Sequence, residues 1–116
     1  MTLISSELKE GVRNLFERLN SLDYSVKPPS PTTAIATMTG PQSSVAKWPN
    51  YTLSSDEPQS IGGQDSAPQP SQIFVASIGF AENVIFARQA AMHNIDFDSL
   101  ETRVEAEWDR RGMFSI

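Results

Sequence analysis

The stretch Pro70-Ser-Gln-Ile-Phe-Val-Ala-Ser-Ile-Gly-Phe-Ala-Glu-Asn-Val-Ile-Phe-Ala-Arg-Gln-Ala-Ala-Met92 decides how the chain is read. Pro70 suits the first position of a helix, where a missing amide hydrogen costs nothing. From Ile73 to Met92 there is almost no polar interruption. Residues advance 100° each along a helix, so Ile73, Phe74, Val75, Ile78, Phe80, Val84, Ile85, Phe86 and Met92 point round its whole circumference. A soluble helix of that kind is expected to be buried nearly all round.

Upstream, Asp56 to Gln69 is turn chemistry, with Asp-Glu-Pro at 56–58, the Gly62-Gly63 pair and Pro68-Gln69-Pro70. Gly62-Gly63 lacks the spacing and the Lys-Ser/Thr of a phosphate loop, so it reads as a turn. Thr32 to Thr39, Val45 to Trp48 and Tyr51 to Ser54 are candidate short strands, with Gly40-Pro41 as a turn signal. Lys27-Pro28-Pro29-Ser30-Pro31 removes amide donors and forces extended backbone, which makes 27–31 a linker. Before it, Ser5 and Ser6 precede Leu8, Val12, Leu15, Phe16 and Leu19 at helical spacing, giving an amphipathic helix over Ser6 to Asn20 within an N-terminal unit 1–26.

Downstream, Leu100 to Asp109 alternates apolar and charged residues. Leu100, Thr102, Val104, Ala106 and Trp108 would share one face of a half-buried strand, ended by Arg110-Arg111-Gly112. The fold class expected is α+β: an N-terminal helix, short antiparallel strands and a long buried central helix.

Composition narrows the function. The 116 residues allow one small domain at most, and they include no cysteine. Thiol redox chemistry, disulfides and thiolate-bound metals are therefore excluded, no cofactor or metal is called for, and a cytoplasmic location is the expectation. The longest apolar stretch, Ile73 to Ala81, is far short of the roughly 20 residues a bilayer requires and is followed at once by Glu82, so no membrane partner is expected. A net charge of −5, with basic residues scattered apart from Arg110-Arg111, argues against nucleic acid.

From Tyr51 to Ile116 the order of signals resembles the OsmC/Ohr family of hydroperoxide reductases and their relatives: Asp56-Glu57-Pro58, Gly62-Gly63, Pro68-x-Pro70, the Ala-rich helix, Asn94-Ile95-Asp96, Leu100-Glu101, then Asp109-x-Arg111-Gly112. The resemblance implies an intertwined α+β oligomer whose strands wrap long central helices, with 32–116 as the N-terminal half of that fold. It also implies where the family's chemistry would stand. Counting from Pro70, the peroxidatic cysteine falls at Ala81, and the carboxylate after the helix-opening proline falls at Ser71, followed by Gln72. No arginine occurs between Arg18 and Arg88 to supply the family's guanidinium. The resolving cysteine belongs to the family's C-terminal half, which the sequence to Ile116 is expected not to reach. The resemblance thus implies the fold without the usual activity.

The residues themselves leave few candidates for other chemistry. Glu82 lies in the most apolar segment, and a buried carboxylate needs a partner or an open cavity, so pocket lining and a structural ion pair are balanced readings. Arg88 shares a helix face with Ser77 and Ala81; a salt bridge to an acid such as Glu82, on the same helix or a partner, is favoured over an anion contact. His93, the only histidine, ends the helix and suits a capping role ahead of general-base work. Ser71, Ser77 and Ala81 are the expected lining of a pocket for a small apolar molecule.

Three functions remain open on this basis. The first is a cysteine-free subunit completed by a second copy or by a complementary polypeptide carrying the C-terminal half. The second is a non-thiol enzyme, such as a hydrolase, using Glu82, Arg88 or His93. The third is a binding or scaffold protein without chemistry.

Overall fold

The computed structural model describes residues 1–22 and 29–116. Helix α1 spans Ser6–Asn20, strands β1, β2 and β3 span Ala36–Met38, Ser44–Trp48 and Tyr51–Ser55, and helix α2 spans Pro70–Met92. Single 3-10 turns cover Gln59–Ile61 and Arg110–Phe114. The class is α+β. Of the linker expected at 27–31, Lys27 and Pro28 lie outside the described residues.

Both helices begin where the sequence signals place them. The Ser5 hydroxyl accepts from the Leu8 amide at 3.1 Å, satisfying one of the free donors of the first turn of α1. Gln72 at the start of α2 accepts from the Gln69 amide at 2.9 Å, and Pro70 sits in the first turn. The end of α2 is closed by Asn94 in the left-handed conformation, φ 54°, with the Ile95 amide donating to the Ala90 carbonyl at 2.8 Å. His93 occupies the C-cap position, its amide bonded to the Gln89 carbonyl.

The strands form one antiparallel sheet in the order β1-β2-β3, with Thr37 opposite Val45, Ala46 opposite Leu53 and Trp48 opposite Tyr51. The last pair closes a two-residue turn at Pro49-Asn50. The stretch expected to be strand from Thr32 is therefore confined to three residues.

The core sits at the far end of the molecule, where α1 crosses the C-terminal end of α2. Ile4, Val12, Ala90 and Ala91 are buried there, with Leu8, Ala87 and Phe97 packed against them. The small side chains of α2 let α1 approach closely. The N-terminus is pinned to the segment after α2 by the Leu3 amide on the Phe97 carbonyl at 2.8 Å and by Lys9 Nζ on Asn94 Oδ1 at 2.7 Å.

Two expectations are corrected. The first is the buried central helix. Within α2 only Gly79, Ala90 and Ala91 are buried, while Phe74, Phe80, Ile85 and Phe86 are more than half exposed. The apolar circumference is as expected, but neither the sheet nor α1 reaches round it. By length and composition α2 also passes as a helix able to cross a membrane, counter to the expectation from the short apolar stretch Ile73 to Ala81. The second correction is the strand at 100–109, which pairs with no other strand among the described residues. Its alternation is nonetheless real. Thr102 and Val104 turn toward α2, where Thr102 Oγ1 donates to Asn83 Oδ1 at 2.6 Å and Val104 lies over Gly79, while Arg103 and Glu105 turn outward and pair with each other.

The consequence is an open molecule. A compact chain of this length has a radius of gyration of about 13 Å; the observed value is 19.1 Å. A folded monomer of 12.8 kDa exposes about 6,300 Å², whereas this chain exposes 9682 Å².

Candidate functional site

The segment that joins the sheet to α2 is organised by one buried carboxylate. Asp56 accepts from the Ser66 hydroxyl at 2.6 Å and from the amides of Glu57, Ser66 and Gln64 at 2.8, 3.2 and 3.3 Å. Its own amide donates to the Pro68 carbonyl at 3.1 Å, so the loop returns on itself and delivers Pro70 to the start of α2. The Ser66 hydroxyl, followed by the Glu57 amide, holds the Asp56 carboxyl below its ordinary value and outweighs the opposing effect of burial. Gly62 takes φ 97°, in the left-handed region, and a Cβ on Gly63 would overlap the Glu57 carbonyl. These requirements explain why both glycines stand in the loop.

With the loop fixed, a cleft of about 610 Å³ opens between it, the first turn of α2 and the turn at 110–114. Its apolar walls are Ile61, Pro70, Phe74, Trp108 and Met113, with Glu57, Ser71 and Arg110 among its polar groups. Phe74 and Trp108 meet edge to face, with centroids 6.0 Å apart. Asp109 beside them is held below its ordinary value by Arg111, which it binds through both carboxylate oxygens at 2.9 and 2.6 Å. A second cleft of about 550 Å³ lies between α2 and the sheet, bounded by Val45, Leu53, Ile73 and Ser77. The two adjoin at Pro70 and Phe74.

The expected pocket residues are divided. Ser71 is half-buried and lines the first cleft; Ser77 lines the second, its hydroxyl donating to the Phe74 carbonyl at 2.6 Å. Ala81 lies outside both, on the exposed side of α2. Glu82, Arg88 and His93 are exposed as well, and none forms an ion pair among the described residues. The expectation of a carboxylate buried at Glu82 is thereby corrected: the apolar segment around it faces solvent. Along the helix axis Glu82 and His93 stand roughly 16 Å apart, so the three polar residues do not converge on one reacting atom.

What the sequence did not reveal is the aromatic pair at the cleft and the hub at Asp56. The alternation of Leu100 to Asp109 puts Trp108 on the inward face, which is the signal the sequence carries for the pair. Nothing in Asp56-Glu57-Pro58 distinguishes a loop hub from an ordinary turn.

Residues 63–116 match the family model for OsmC-like proteins. No curated protein and no solved structure matches the chain. The matched segment begins at Gly63 and takes in the end of the Asp56 loop, all of α2 and the unpaired segment that crosses it.

Proposed function

We propose, from the match of residues 63–116 to the OsmC-like family model and the absence of cysteine, that the chain is a non-thiol OsmC-like subunit whose helix α2 is covered by association and whose cleft beside Trp108 takes a small apolar molecule. The family's peroxide chemistry requires a thiolate that can pass through a sulfenic acid, and Ala81 at the corresponding place offers no such atom. What remains of the fold is a scaffold and a cavity.

The observation that carries the association reading is the exposure of α2. Phe80 is 68% and Phe74 56% exposed in a helix with mean apolar character round its whole circumference. The chain leaves about 3,400 Å² more surface in water than a folded protein of its mass does. Several large apolar side chains exposed together on one helix mark an interaction site. The cleft reading rests on apolar walls and a few polar groups at the rim, the usual make-up of a small-molecule site.

Sedimentation of the purified chain at micromolar concentration tests the first part: a self-associating or partner-dependent species is expected, and a cooperatively melting monomer would refute it. Incubation with an organic hydroperoxide and a dithiol is expected to give no turnover. Quenching of tryptophan fluorescence by an uncharged aromatic such as naphthalene, lost in Trp108→Leu and kept in Trp48→Leu, tests the cleft; equal quenching in both variants would remove it.

A further inference from the structure

Two charged side chains of opposite sign line the cleft beside Trp108. Glu57, half-buried, comes from the Asp56 loop, and Arg110, exposed, comes from the turn at 110–114. Neither forms an ion pair among the described residues, with each other or with a third group. The remaining charge at the cleft is already answered, because Arg111 binds Asp109 through both carboxylate oxygens. One carboxylate and one guanidinium are left over on different walls of one cavity. The other walls are apolar, and Ile61, Phe74, Trp108 and Met113 are each more than half exposed.

This charge pattern selects among ligands. A cation would gain Glu57 and face Arg110, and an anion would gain Arg110 and face Glu57. A neutral molecule would displace water from both groups without replacing its hydrogen bonds. A ligand that carries both charges answers both.

We propose that the cleft recognises a zwitterion with an apolar body, of the class of a short apolar peptide with both termini free. Its ammonium meets Glu57, its carboxylate meets Arg110, and its side chains cover Phe74, Trp108, Ile61 and Met113. The inference rests on the cleft reading above and names the ligand class. Size agrees with it. A cavity of about 610 Å³ would be about 10 Å across if round, within the usual range for a small-molecule site. A dipeptide extends about 7 Å, and a charge-assisted hydrogen bond of about 2.8 Å at each end lets it reach from one wall to another. The start of α2 adds to the carboxylate end: Pro70 and Ser71 line the same cleft in the first turn of the helix, where the dipole places partial positive charge.

L-leucyl-L-phenylalanine is the probe, read by the fluorescence of Trp108 in the Trp48→Leu background, where it is the single tryptophan. At pH 6.5 its α-amino group, with a pKa of about 7.7–8.0, is protonated. Three blocked forms keep the body and change the charge: the N-acetyl peptide is an anion, the C-terminal amide a cation, and the doubly blocked peptide neutral. The free peptide is expected to bind at least tenfold more tightly than each of them. Glu57→Gln should weaken the free peptide at least fivefold and improve the N-acetyl form, which is relieved of repulsion; Arg110→Gln should weaken the free peptide equally and improve the amide. Quenching by naphthalene should be the same in both variants, which separates a lost charge contact from a misfolded cleft. Should a variant lose naphthalene as well, the four peptide forms on the parent side chains decide alone. Equal binding of the free and doubly blocked peptides, or preference for a singly charged form, would overturn the zwitterion reading and leave the apolar cleft in place. If neither naphthalene nor any peptide form perturbs Trp108, both readings fall.

Discussion

Gly79→Ala is a direct probe of how α2 meets the segment that crosses it. Gly79 is buried in the helix interior, where glycine is about 0.8–1.0 kcal/mol less favourable than alanine. A Cβ built there lies 3.5 Å from Val104 Cγ2 and 3.9 Å from the Thr102 carbonyl, ordinary contact distances that require nothing to move. The substitution therefore recovers the helix-propensity term with no steric loss, and the chain should gain about 0.8–1 kcal/mol. For a chain of this size that raises Tm by roughly 3–6 °C. The assay is a thermal melt followed at 222 nm at one fixed protein concentration, because association also moves Tm. Gly79→Leu supplies the opposite arm: its branched side chain must displace Val104, and Tm should fall. A Gly79→Ala variant that melts lower than the parent would refute the reasoning, since the Cβ would then be meeting atoms closer than Val104.

The Asp56 hub yields a pH dependence. Its carboxyl is held below the ordinary value of 3.8 in the folded chain, so its contribution is full above that value and is lost as pH falls through the folded pKa. Asp56→Asn should melt lower at neutral pH and flatten the acid limb of the stability curve; an unchanged limb would deny the hub its role. Gly63→Ala should destabilise the loop, because its Cβ would overlap the Glu57 carbonyl; an unchanged Tm would count against the loop geometry. Ala81→Cys alone should not establish efficient peroxidase turnover. The exposed thiol would have serine at Ser71, where the resemblance sets a carboxylate, and no early-strand arginine to lower its pKa; rapid dithiol-dependent turnover would show that other groups suffice.

Much of the fold was legible because its signals are local. Ser5 before Leu8 and Pro70 before Ile73 mark helix starts through backbone donors that only adjacent residues can satisfy. Strands β2 and β3 fall on the short β-rich runs either side of Pro49-Asn50, while their pairing is shown by the structure. The candidate site was less legible. Ser71 and Ser77 were placed at clefts, yet Ala81 was not, and Glu82, Arg88 and His93 fall along an exposed helix without meeting. The cleft depends on Trp108 returning to Phe74 across 34 residues, a contact that no local pattern specifies.

By itself, the sequence determined the helices, the turn-rich loop, the absence of thiol chemistry and the OsmC-like order of motifs, because each resides in neighbouring residues or in composition. Only the tertiary structure decided which apolar surfaces find cover. Periodicity states that α2 is apolar all round, but burial is a property of what packs against it. Here α1 reaches Ala90 and Ala91 and the crossing segment reaches Gly79, both on one side of the helix. The face of α2 that carries Ile78, Ile85 and Met92 stays largely in water because none of the packing contacts made by the other described elements falls on it.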